Sequence, residues 1–96
     1  MLPAPELIVA MTGAPVVIGT LLHPPIKLIM DNQSTDPVVI SVDVGGGPVQ
    51  WKTFAPEEVL MLDDDIYAFP EGTIFTGNGA AAGNFSITYT YIKYPD

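Results

Sequence analysis

Ten prolines and nine glycines are spread through the 96 residues so that apolar positions never recur at helical spacing over ten residues without meeting one. Proline in a helix interior removes a backbone donor and clashes with the preceding turn, and glycine weakens the helix entropically. What remains are short β-branched or aromatic runs bounded by turn residues, the pattern of strands. The chain therefore predicts an all-β domain.

The expected strands are 7–11, 15–22, 26–30, 38–44, 49–54 and 59–62, with 66–69 leading to a turn and 73–76 opening the next strand. The last and longest is 84–94. Val38, Ile40, Val42 and Val44 alternate with Val39, Ser41 and Asp43, so the even-numbered face is assigned to the core. Gly45-Gly46-Gly47-Pro48 closes a hairpin into the next strand, where Val49, Trp51 and Thr53 face away from Gln50, Lys52 and Phe54. In the last strand Phe85, Ile87, Tyr89 and Tyr91 share a face. The segment 77–83 lacks large side chains and is read as a loop, mobile or ordered against a partner. Six to eight short strands without crossover helices imply an antiparallel β-sandwich or jelly-roll-like barrel. Residues 1–6, with Pro3 and Pro5, are read as an extended N-terminal arm, and 7–96 as a single β domain.

Eleven acidic residues face three lysines and no arginine, a formal charge of −8. The cations that neutralise phosphates are missing, so nucleic acid and anionic membrane are poor partners. The stretch from Leu7 to Ile26 carries no charge, but Gly13, Pro15, Gly19, Pro24 and Pro25 interrupt it as a membrane helix. The first charge is Glu6, so no positive start marks an export signal. The absence of cysteine excludes disulfides and thiolate chemistry. Hydrophobic residues make up 48% of a short chain, and charged ones only 15%. A domain this small leaves much of its surface open, so part of that apolar surface is expected to meet another subunit.

Asp63, Asp64 and Asp65, with Glu57 and Glu58 upstream, are the one set of candidate metal ligands, because neighbouring carboxylates supply hard oxygen donors. Their spacing is not that of a calcium loop, and a solvated acidic turn accounts for them. As a glycosidase acid and base they lack an accompanying cleft signal. His23 has no serine placed beside it and reads as a turn residue. No cofactor is expected, and no catalytic residue is assigned. Trp51 and Tyr89 are assigned to the core, with sugar stacking as the alternative for Trp51 and the tyrosines. Tyr91 and Tyr94, together with Leu2, Pro3 and Pro5 of the arm, are assigned to a protein interface.

An ordered set of signals runs from Ile29 to Tyr91: Ile29-Met30-Asp31-Asn32, then Val39-Ile40-Ser41-Val42-Asp43 before the glycine turn. Trp51 with Phe54-Ala55-Pro56, Leu62-Asp63, Phe69-Pro70-Glu71-Gly72-Thr73-Ile74-Phe75, and a small-residue loop into an aromatic strand complete it. This order resembles small β-sandwich virion structural proteins of tailed phages. The resemblance implies a non-enzymatic subunit located in the virion, assembled in the host cytoplasm, of the capsid-decorating or cement type. It implies as partners a second copy of the chain, in a ring or trimer, and a major capsid or neck protein. A head-to-tail adaptor or fibre-attachment subunit is the alternative within that class, and a glycan-binding β-sandwich module the alternative outside it. A hydrolase using the acidic cluster ranks last.

Overall fold

The computed structural model describes residues 2–63 and 69–91, and all its regular elements are strands. They are β1 (Leu2–Pro3), β2 (Leu7–Ala10), β3 (Val16–Thr20), β4 (Lys27–Asn32), β5 (Val38–Asp43), β6 (Val49–Phe54), β7 (Val59–Leu62), β8 (Ile74–Gly79) and β9 (Asn84–Tyr91). One antiparallel sheet runs β1-β9-β4-β7, with β2 also paired to β9; the other runs β3-β8-β5-β6. The β-sandwich-like, all-β expectation holds. The pairs nest about the β5–β6 hairpin: β4 with β7, β3 with β8 and β2 with β9.

Alternation placed the core correctly where strands are regular. Leu28 and Met30 of β4, Val38, Ile40 and Val42 of β5, and Phe85, Ile87 and Tyr89 of β9 are buried between the sheets. Phe54 meets Phe85 edge to face at 5.0 Å, and Phe69 meets Phe75 similarly at 5.3 Å. Such pairs add directional attraction to the area they bury.

Four expectations are corrected. Of the expected arm 1–6, the described residues 2–6 do not leave the domain: Leu2 and Pro3 pair with Tyr91 and Thr90, and the Ala4 N–H donates to the Tyr89 carbonyl at 2.9 Å. The segment thus continues β2 along the same side of β9, because β9 is long enough to hold both. Gly77, Asn78 and Gly79 belong to β8, opposite Ile40, Val39 and Val38. The missing side chains of Gly77 and Gly79 are what the packing requires, since a Cβ on Gly79 would lie 2.9 Å from a Val38 methyl and one on Gly77 3.1 Å from the Ile18 and Met11 side chains. Val44 lies beyond the end of β5 and is exposed, not core. Trp51 is the extra residue of a β-bulge, opposite neither Ile40 nor Ser41, so the alternation assigned to β6 breaks there. Of the expected strand at 66–69, residues 66–68 lie outside the described residues.

A buried polar junction closes one end of the sheets. The Asn32 amide nitrogen donates to the carbonyls of Asp36 (3.1 Å) and Ala55 (2.9 Å), while its Oδ1 accepts from the Ser34 N–H at 3.0 Å. Gly83 packs onto the same turn, where a Cβ would sit 2.7 Å from Ser34 Cα, at a φ of +151°. Removing these groups leaves buried carbonyls and an N–H without partners, so Asn32→Ala is expected to cost about 2–4 kcal/mol. Asn32→Asp should cost more at neutral pH, because it turns a carboxylate oxygen toward two carbonyls, and should recover in part on acidification. Urea denaturation of both variants at neutral and acid pH checks this.

Candidate interaction surfaces

Two assemblies of exposed side chains stand out at the margins of the sheets. The first lies where β1 meets the end of β9. Leu2, Pro3 and Tyr91 are brought together by the register Leu2↔Tyr91 and Pro3↔Thr90. His23, in the turn after β3, stacks on the Tyr91 ring at 3.8 Å with an interplanar angle of 5°. The Tyr89 hydroxyl accepts from the Leu22 N–H at 3.1 Å, which fixes that turn against β9. Leu2, Pro3 and Pro5 are exposed and Tyr91 is half-buried. Tyr94 lies outside the described residues.

The second surrounds the bulge in β6. Trp51 is 38% exposed and rests edge to face on Phe69 at 5.4 Å. A cleft of about 290 Å³ opens beside it, lined by Val42, Val44, Gly46, Gly47, Val49, Gln50, Trp51 and Phe69. Among the described residues no charged side chain lines this cleft. The nearest carboxylate in sequence, Asp43, is folded back, its Oδ1 accepting from the Gly45 N–H at 2.8 Å and the Gly47 N–H at 3.2 Å. Sequence reasoning buried Trp51 and Val44 and missed this surface. A bulge shifts the phase of alternation by one residue, and nothing in the residue types of β6 announces it.

Among the described residues the acidic side chains do not converge on a common point. Asp63 is exposed just past β7, and Asp64 and Asp65 lie outside the described residues. Glu58 is committed elsewhere: its Oε1 accepts from the Ala55 N–H at 2.9 Å and its Oε2 lies 3.0 Å from Lys52 Nζ. Among the described residues no group of three His, Asp or Glu side chains is arranged to hold a metal. No helix of the described residues is long and apolar enough to cross a membrane.

The backbone N–H of Ala55, and then the Lys52 ammonium, hold the Glu58 carboxyl below its ordinary pKa. A carboxyl with a lowered folded-state pKa stabilises the fold above its unfolded pKa, and that contribution disappears as pH falls through the folded one. Glu58→Gln should therefore be less stable than the parent at neutral pH, with the difference closing in acid. Melting curves across that range measure it.

Comparison of the chain with protein families, curated proteins and solved structures finds no match.

Proposed function

We propose that this chain is a non-enzymatic structural subunit of a phage-like virion, assembled in the host cytoplasm, that self-associates and attaches to a major capsid or neck protein. The observation that carries this reading is the nesting of the strand pairs. With β1 taken as the continuation of β2, eight strands fold as one long hairpin rolled over itself, giving sheets β2-β9-β4-β7 and β3-β8-β5-β6. That is the strand order of a jelly roll, an architecture found in viral capsid and lectin domains.

A fold hosts many functions, so the surface must support the choice. It does so through exposed apolar side chains in a charge-poor chain: Leu2 and Leu22 near the His23–Tyr91 stack, and Val44, Val49 and Trp51 at the other surface. Tyrosine and tryptophan beside apolar neighbours are the residues that anchor protein contacts. Self-association into a ring or trimer is the stated form, with decoration of a shell as the stated role. The head-to-tail adaptor and fibre-attachment readings share the same chemistry.

Native mass spectrometry of the purified chain over a range of concentrations tests the proposal. A single closed oligomer is expected, shifted toward monomer by Leu2→Asp or Trp51→Ala with the β-sheet circular dichroism retained. A chain that stays monomeric throughout would remove the self-association.

One observation favours a second reading, a glycan-binding module. Trp51 stands half out of the surface with the Gln50 side chain and the glycine turn beside it, an apolar face next to polar groups. Titration with a panel of oligosaccharides should then change Trp51 fluorescence, and no change across the panel ends that reading.

A further inference from the structure

The two sheets end in four edges, and three of them carry a device that hinders pairing with another strand. The β1–β2 edge contains Pro3 and Pro5, which have no amide hydrogen to donate. The β3 edge is bulged between Val17 and Gly19. The β6 edge is bulged at Trp51, and Lys52, in register with the buried Ile40, is a charge on the inward side. β7 has none of these: it is free of proline and runs against β4 without a register shift from Asp31↔Val59 to Leu28↔Leu62.

The direction of the free backbone groups on β7 follows from the ladder. The Asn32 N–H donates to the Glu58 carbonyl at 2.9 Å. Bonded and non-bonded pairs alternate between antiparallel strands. Leu60 and Leu62 therefore bond to β4, and the N–H and C=O groups of Val59 and Met61 point to the other side, where no strand among the described residues pairs with them. Val59 and Met61 are each 53% exposed, with Ile29 directly across from Met61.

Acidic residues flank this edge, Glu57 before it and Asp63 after it. Antiparallel pairing of β7 with its own copy through the open groups of Val59 and Met61 would bring Glu57 of each chain beside Asp63 of the other, two like-charge contacts that oppose it. The same charges favour a strand with cationic ends. A proline or bulge excludes every strand, whereas a charge excludes by sign.

We infer that the β7 edge is a docking site for an extended segment of another protein, apolar in its middle and flanked by lysine or arginine, which adds to the sheet as a further strand. Backbone hydrogen bonds to Val59 and Met61 supply the register, and apolar side chains cover Val59 and Met61 on the outer face and the half-buried Leu60 and Leu62 on the inner one. The inference follows from the edge itself and does not depend on the assembly role proposed above.

The probe is a synthetic peptide of alternating valine and threonine with lysines at both ends, its control the same peptide ended with glutamates, and the readout fluorescence anisotropy with the full chain. The lysine peptide is expected to bind, more weakly as salt rises, and the glutamate peptide not to bind. Met61→Pro removes an outward donor without touching a bond to β4, and should weaken binding at least about tenfold. Asp63→Lys, an exposed change, should narrow the preference between the two peptides, and decides the matter if Met61→Pro fails to fold. Absence of binding by the lysine peptide, equal binding of both peptides, or full affinity in a folded Met61→Pro protein would each overturn the inference.

Discussion

The side-chain amide of Asn32 joins the end of β4 to the turn after it and to the turn between β6 and β7. The contact to Ala55 spans 23 residues and ties a strand of one sheet to the end of β6 in the other. In a nested fold every strand pair outside the β5–β6 hairpin depends on distant segments meeting, and loop closure must be paid for before their contacts form. A buried amide with all three of its hydrogen bonds made within this junction specifies one arrangement, because any other leaves a buried polar group unsatisfied. Gly83 completes the junction by letting the β8–β9 turn lie against Ser34, and the Met11 N–H reaches the Gly83 carbonyl at 2.9 Å. One end of the domain is thus fixed by polar geometry, and the space between the sheets by apolar packing.

The opposite end is built differently. Phe69 is buried against Phe75, and Trp51 caps Phe69 from outside. The bulge allows this: a regular β6 would keep Trp51 in phase with Val49, while the extra residue turns it across the end of the sheets. The outcome is an aromatic stack graded from buried Phe75 to half-exposed Trp51, with the β5–β6 hairpin bordering a cleft that no charged group among the described residues lines.

How much of this could be read from the residues depends on what each signal measures. The faces of β5 and β9 were legible because their large side chains alternate strictly, and burial follows from the pleat. Gly77-Asn78-Gly79 was not, because a strand chosen for close approach has no side chains with which to show a period. The course of residues 1–6 was missed because prolines report the shape of a segment and not the neighbour beside it. Leu2, Pro3 and Tyr91 were grouped as interface residues from composition, and the register places them together, although that says nothing about what touches them. Val59 and Met61 were hidden for a further reason: an edge strand and a central one of the same composition read alike, and only the sheet order separates them.

Among the described residues the acidic side chains lie mostly outside the strands. Of the described acidic residues only Asp31 and Asp43 lie in strands, and the Asp43 carboxylate is turned onto its own hairpin. Asp36, Glu57 and Glu58 lie in the turns beside Asn32, Asp63 and Glu71 lie in turns toward the other end, and Glu6 lies between β1 and β2. At physiological ionic strength charge acts over about 8 Å, so these acids bear on contacts made at the two ends and along the β7 edge that Glu57 and Asp63 flank. For a domain this small, with apolar groups left open on its flanks, like charge opposes unspecific contact between copies.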